Sequence, residues 1–275
     1  MAIKLGIVGG GVMGETLLSR LIAQQLYRPD EVLVSEPQAH QRDFLAQKYG
    51  VGVTADNQAA AAASDVLLLA IKPQVFEAVA TELTQADGKH PLEEKSQQVV
   101  ISILAGVSLS KLEAAFGHQP VIRAMPNTPA TVGAGITAIA PGKTVSKSQL
   151  EQAIALLQAV GEVVEVPESL MDAVTGLSAS GPAYVAITIE ALADGGVAAG
   201  LPRAIASKLA LSTVLGTAVL LQQSELHPAQ LKDRVTSPGG TTIAGIAQLE
   251  KAGFRSALIE AVLAAKERSQ QLGGQ

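Results

Sequence analysis

The sequence contains no cysteine, which excludes disulfides, thiolate catalysis and any zinc or iron–sulfur centre held by cysteines. No metal is expected. Basic residues are also few: 20 Lys+Arg stand against 25 Asp+Glu, giving a net charge of -5 and a pI near 5.4. No stretch gathers the lysines and arginines that phosphate neutralisation needs, so no nucleic-acid partner is expected. The opening residues lack an apolar signal segment with a cleavage site and run straight into a strand, which predicts a cytoplasmic protein. Histidine is scarce as well. Of the four, His40 and His118 sit in polar surroundings, His90 lies in a charged stretch and His227 precedes Pro228 at a helix start; each reads as a solvated residue or a cap. What remains is apolar: 48% hydrophobic residues in 275 suffice for one large core or two smaller ones.

The most informative stretch is KLGIVGGGVMGETLL, residues 4–18. A β-branched apolar run meets Gly9, Gly11 and Gly14 where the composition turns helical, giving strand, tight turn and helix. In G-x-G-x-x-G the first glycine permits the turn, the second lets backbone approach a pyrophosphate, and the third lets helix and strand pack closely. The phosphates then lie on the positive helix N-terminus. Val8, Gly9, Gly10, Gly11, Val12, Met13 and Gly14 are thus the candidate pyrophosphate cradle. Glu36, about 20 residues further on, stands where an acidic side chain meets the adenosine ribose. This predicts an α/β fold with an N-terminal Rossmann-like, doubly wound sheet.

Further strands are expected at 31–35, 51–54, 65–71, 98–103, 121–125, 135–140 and 163–166, with helices at 12–26, 37–49, 59–63, 109–116 and 147–160 between them. The polar stretch 87–97 reads as a surface loop. In open parallel sheets ligands bind beyond the carboxyl ends of the strands, which places Ala70, Ile71, Lys72 and Pro73, and then Ile103, Leu104 and Ala105, near a cofactor. Lys72 is either a cofactor contact or a solvated lysine. The stiff MPNTP loop at 125–129 is either site lining or a well-made turn.

After residue 166 the texture changes. Helices are expected at 170–177, 182–199, 202–224, 228–233, 241–252 and 254–271, several opening near a proline that suits a first helical turn. The chain divides into a dinucleotide-binding domain, 1–166, and a helical domain for substrate and dimerisation, 167–275. Helices 182–200 and 204–221 are apolar nearly all round, so each must be enclosed or span a membrane. Ser207, Lys208, Ser212, Thr213, the short lengths and Gly195, Gly196 and Gly200 argue against a membrane. A helical domain of this size seldom encloses two helices alone, which predicts a second subunit covering them.

The absence of a placed histidine is informative about chemistry. An alcohol dehydrogenation needs a general base, whereas an imine or iminium carbon is already electrophilic and accepts hydride with positioning and hydrogen bonding. The best substrate site is TSPGGTTI, 236–243: Gly239 and Gly240 leave backbone N–H groups bare before a helix, the anatomy of an anion site, and Ser237, Thr241 and Thr242 add hydroxyls. The bland alternative is a Pro-Gly turn with a threonine cap. Within the anion reading, Thr242 orients the substrate nitrogen and is the candidate catalytic residue. Glu168 is either solvated or faces a cationic ring nitrogen.

These segments resemble the pyrroline-5-carboxylate reductase family, in order: GIVGGGVMG at 6–14, LAIKPQ at 69–74, SILAGVS at 102–108, RAMPNTP at 123–129, DAVTGLSASGPAY at 172–184, ALADGGVAAGLPR at 191–203 and HPAQLKDRVTSPGGTTIAGI at 227–246. The resemblance implies a Rossmann domain, an interleaved helical dimer, and NADPH-linked reduction of 1-pyrroline-5-carboxylate, a small imino acid, to L-proline. It also implies cofactor contacts at Val8 to Met13, Asn57, Ala70 to Pro73 and Ile103 to Ala105, and substrate contacts at Glu168, Thr241 and Thr242. In some relatives an asparagine stands where this chain has Arg234. Glu36 favours a free ribose 2′-OH, so NADH stays a competitor to NADPH unless Lys72 or Arg42 supplies compensating charge. The rival readings are a β-hydroxyacid dehydrogenase, whose catalytic lysine is missing from 181–196, and a non-catalytic NADPH sensor, which would not need TSPGGTT.

Overall fold

The computed structural model describes residues 2–84, 98–117 and 119–274; the 87–97 loop expectation, His90 and His118 lie outside them. The first half alternates strand and helix: β1 (Leu5–Val8), α1 (Val12–Ala23), β2 (Val32–Ser35), α2 (Ala39–Tyr49), β3 (Gly52–Thr54), α3 (Asn57–Ala61), β4 (Val66–Leu69), α4 (Phe76–Thr84), β5 (Val99–Ser102), α5 (Leu109–Phe116) and β6 (Val121–Met125). Then come β7 (Gly135–Pro141), α6 (Lys147–Gln158), β8 (Gly161–Glu165) and the short α7 (Met171–Val174). They form one eight-stranded sheet in the order β3-β2-β1-β4-β5-β6-β7-β8, the Rossmann order extended by two strands.

The sheet is parallel from β3 through β6 and antiparallel between β6 and β7. The reversal follows from the connection: residues 126–134 hold only a 3-10 turn, Thr128–Val132, too short for the crossover that parallel pairing requires. Helix α6 supplies such a crossover, and β7 and β8 are parallel.

Both faces of the sheet are covered, and the period of two in each strand sorts the side chains. Leu5, Ile7, Leu68 and Ile101 pack with Leu17, Leu18 and Leu21 of α1, Leu45 of α2 and Leu156 and Leu157 of α6. On the other face Leu67, Leu69 and Val100 pack with Ala60 of α3, Phe76 and Leu83 of α4, Leu112 of α5 and Met171 of α7. Each fully buried leucine contributes about 1.5–3 kcal/mol, which explains why β4 is buried along its whole length and reads as an unbroken apolar run.

Beyond β8 the described chain is helical: α8 (Gly181–Ala198), α9 (Arg203–Ser224), α10 (Pro228–Arg234), α11 (Thr241–Lys251) and α12 (Phe254–Gly273). Two expected helices stop three residues short of their pattern. Helix α1 stops at Ala23 because Gln25 takes a left-handed φ of 58°, and the helix expected at 170–177 gives way after Val174 to a π turn, Thr175–Ala179.

The chain folds into two compact units, Met1–Ala179 with Ala265–Gln275, and Ser180–Ala264. The first thus includes the residues that follow β8. Met171 is buried under the sheet, and Ser269 Oγ, near the end of α12, donates to Asp172 Oδ1 at 2.7 Å.

In the second unit α8 and α9 meet through small residues. Ala193, Ala206 and Ala210 are buried, and Gly196 lies close against Ala206. The large apolar residues are left out of that contact: Ile187 is 65% exposed and Leu215 62%. Helix α9 is long and apolar enough to cross a membrane by length and composition, and little of it is buried.

Candidate functional site

The glycine turn is built as its spacing predicts. Gly9 has φ 105°, open to glycine and costly for other residues, and a Cβ at Gly14 would run into the carbonyl oxygen of Gly9. Gly11 differs: it is the N-cap of α1 at φ −71°, and a Cβ there meets nothing within 4 Å. Among the described residues nothing crowds that position, so packing does not require glycine there. No side chain caps α1, so the first-turn N–H groups, those of Val12 and Met13 among them, lack helical acceptors. A bare helix start, an open Gly11 and a backbone approach free of side chains fit a pyrophosphate.

Gly10 is held from both sides. Its N–H donates to Glu36 Oε2 at 3.0 Å and its carbonyl accepts from Gln41 Nε2 at 2.7 Å. The other oxygen of Glu36 accepts from Gln38 N–H at 3.0 Å, and the residue is 8% exposed. Arg42 Nη1 donates to the carbonyls of Glu36 and Pro37 at 2.7 and 2.8 Å. Asn57, at the start of α3, accepts from Ser35 Oγ at 2.5 Å and donates to Glu82 Oε2 at 2.8 Å.

The other expected contacts lie on neighbouring strand ends. Ala70 N–H donates to the Val8 carbonyl at 2.8 Å and Ile103 N–H to that of Leu69 at 3.1 Å. The Ala70–Pro73 and Ile103–Ala105 stretches therefore continue the carboxyl edge beside the glycine turn. Val8 and Leu104 are buried, 1% exposed each, and only their backbone is available to a ligand. Val12 is 71% exposed, and Lys72 is exposed.

Glu168 follows β8 in the turn Glu168–Leu170. Its Oε1 accepts from Arg123 Nη1 at 2.7 Å and from Leu109 N–H, at the start of α5, at 3.0 Å. Asp172 Oδ1 stands 4.0 Å from Arg123 Nη2. Glu168 Oε2 is buried and has no hydrogen-bond partner among the described residues. Arg123 and Asp172 are absent from the sequence-derived site, although a charge inside the apolar run VIRAM signals a buried partner. Asn127 of the MPNTP loop spends its amide on Ser178 O and Ile136 N–H, at 3.2 and 3.0 Å.

In the second unit Gly239 turns the chain with φ 65° and Gly240 is the N-cap of α11, without a side chain to cap it. Gly240 N–H donates to Ser237 O at 3.0 Å. Thr241 and Thr242 are therefore the first two helical residues rather than caps, with Thr241 exposed and Thr242 half-buried. Of the histidines, His40 is exposed and His227 caps α10, accepting from Ala229 N–H at 3.2 Å. Among the described residues no group of three or more His, Asp or Glu could hold a metal ion.

Residues 168–272 match the family model described as pyrroline-5-carboxylate reductase dimerisation, and residues 4–106 match one described as NADP oxidoreductase coenzyme F420-dependent. The chain is 63% identical to a pyrroline-5-carboxylate reductase of a Synechocystis strain, covering 99% of both chains. Among solved structures it is similar to a pyrroline-5-carboxylate reductase from Coxiella burnetii, with a TM-score of 0.89 and 36% identity over 99% of each chain. It is also similar to the NADP-bound pyrroline carboxylate reductase of Plasmodium falciparum, with a TM-score of 0.87 and 30% identity over 98% of each. With relatives this similar over its whole length, the chain belongs to the pyrroline-5-carboxylate reductase family.

Proposed function

We infer that this protein reduces 1-pyrroline-5-carboxylate to L-proline, the last step of proline biosynthesis, with NADPH as first cofactor and NADH as competitor. The observation that carries the reading is full-length identity of 63% to a pyrroline-5-carboxylate reductase, joined to a glycine turn that fits a dinucleotide pyrophosphate. The reduced nicotinamide, when bound, supplies a hydride to the C=N carbon.

We propose that the chain's own work is positional. Backbone N–H groups at the start of α1 hold the pyrophosphate, and Glu36, Asn57, the Ala70–Pro73 stretch and the Ile103–Ala105 stretch border the rest of the nucleotide. The uncapped start of α11, at Gly240 and Thr241, suits the substrate carboxylate. Thr242 is next along the helix and its hydroxyl donates to the neutral imine nitrogen, which gains electron density as hydride reaches the neighbouring carbon and takes its proton from solvent water. Ser237 and Gly239 shape the turn. In the first unit Arg123 holds one oxygen of Glu168, and Oε2, without a partner among the described residues, is a candidate acceptor. No strong base is required, because the imine carbon is electrophilic from the outset.

The family's dimerisation segment makes this a homo-oligomer. We propose a dimer in which the partner covers the exposed apolar residues of α8 and α9, a functional division at residue 166, and a cytoplasmic setting. Incubation of the purified protein with NADPH and the imino acid should consume cofactor absorbance and yield proline. Absence of turnover with an intact, nucleotide-binding protein would overturn the reading. Sedimentation should show dimers or multiples of dimers; a compact, active monomer at low micromolar concentration would exclude the proposed interface.

A further inference from the structure

We propose that Arg42 reads the 2′-phosphate of the nucleotide and that Glu36 is a brace for the glycine turn rather than the arbiter of cofactor choice. The proposal rests on the nucleotide-binding reading above and names the specificity group of that site.

An acidic residue at the end of the second strand ordinarily accepts from the ribose 2′-OH and repels a 2′-phosphate. In this chain each carboxylate oxygen of Glu36 already holds a backbone donor. One oxygen accepts from Gly10 N–H and the other from Gln38 N–H, both at 3.0 Å, and the residue is 8% exposed. Two backbone donors draw the negative charge inward and tie the glycine turn to the start of α2. Gln41 closes the clasp by donating to the Gly10 carbonyl.

Arg42 has the opposite balance. It is half-buried, and its two bonds, to the carbonyls of Glu36 and Pro37, both use Nη1. Among the described residues it forms no ion pair, and Nε and Nη2 donate to nothing. A guanidinium pinned at one nitrogen keeps its remaining donors in a fixed plane, the arrangement that takes a phosphate bidentately. It stands against the backbone of Glu36, the residue that marks where the ribose 2′ position falls in this fold. Lys72 is the other cation in question. It belongs to the loop after β4 and not to the β2–α2 turn, so Arg42 is the nearer answer to a 2′-phosphate.

The test is calorimetric titration of the full-length protein with NADPH and with NADH, without substrate. Arg42→Gln should weaken NADPH binding by about 10-fold or more, the loss of a charge-assisted contact, while NADH binding stays within about 2-fold; Arg42→Lys should recover part of the loss. Glu36→Gln should weaken both nucleotides alike, because a single amide oxygen cannot accept from both Gly10 and Gln38. Equal weakening of both nucleotides by Arg42→Gln would make the arginine a mere carbonyl brace and overturn the proposal, as would no change in either. A selective gain for NADPH in Glu36→Gln would return cofactor choice to the carboxylate. If the wild-type protein bound neither nucleotide, the dinucleotide reading itself would fall, a result distinct from all of these.

Discussion

Arg123 Nη1 lies 2.7 Å from Glu168 Oε1, an ion pair that joins the middle of β6 to the chain just beyond β8. Arg123 is 4% exposed, so its charge has little access to water and depends on this partner and on Asp172. Breaking a buried pair from one side costs about 3–5 kcal/mol, discounted here because the Glu168 side chain is 33% exposed. Arg123→Met should lower the thermal midpoint by several degrees, and Glu168→Gln in the same chain should add much less than it does alone. A thermal double-mutant cycle measures this, and strictly additive losses would show that the two do not act as a pair.

The glycines of the turn separate folding from binding. Gly14→Ala places a Cβ against the Gly9 carbonyl and should lower the melting temperature of the ligand-free protein. Gly11→Ala meets nothing within 4 Å and should melt as wild type, yet bind nucleotide at least about 10-fold more weakly, because the methyl occupies the phosphate approach. Thermal melts paired with nucleotide titrations distinguish the two, and a Gly11→Ala variant with undiminished affinity would move the pyrophosphate elsewhere.

Thr242→Val keeps the shape of the side chain and removes its donor. The proposed hydrogen bond to nitrogen strengthens in the transition state, so kcat should fall by about 10- to 100-fold for a bond contributing about 1–3 kcal/mol. Thr241→Val retains the backbone N–H and serves as the comparison. Full kcat in Thr242→Val with unchanged cofactor affinity would reduce Thr242 to a first-turn helical residue.

Alkaline pH should expose Tyr27. Burial, and then the negative charge of Asp65, push its hydroxyl up to about 12 against an opposing hydrogen bond with Gln152. The folded state holds the phenolic proton more tightly than the unfolded one. Its stabilising contribution is therefore whole below the ordinary value of 10.0 and is lost as pH rises from there through about 12. Phenolate absorbance should show a late-ionising tyrosine that Tyr27→Phe removes, and stability above pH 10 should fall less steeply in that variant. Disappearance of no late component on Tyr27→Phe would refute the assignment.

The β-α alternation, the bare start of α1 and the helical second half were legible because each depends on a few adjacent residues. Gly9, Gly11 and Gly14 prescribe a turn through their missing side chains, the apolar run at Val66–Leu69 prescribes a strand covered on both faces, and Pro182 and Pro228 sit in first helical turns where no N–H is needed. The exposed apolar residues of α8 and α9 agree with their pattern, since a helix apolar all round cannot be enclosed by one neighbour.

What the sequence by itself determined, then, is local: backbone conformation at glycine and proline, strand and helix period, and which strand ends carry small or polar residues. Only the tertiary structure decided the partners. Glu36 could not be seen to hold Gly10, 26 residues away, nor Arg123 to hold Glu168, 45 residues away. Nor did the sequence name the antiparallel pairing of β7 with β6, although the stretch between their expected strands held no crossover helix. Propensity acts through neighbouring dihedrals and side chains. The partner of a charge is chosen by which strands lie side by side and which loop returns over them, and that choice is made through space by the burial of the whole sheet.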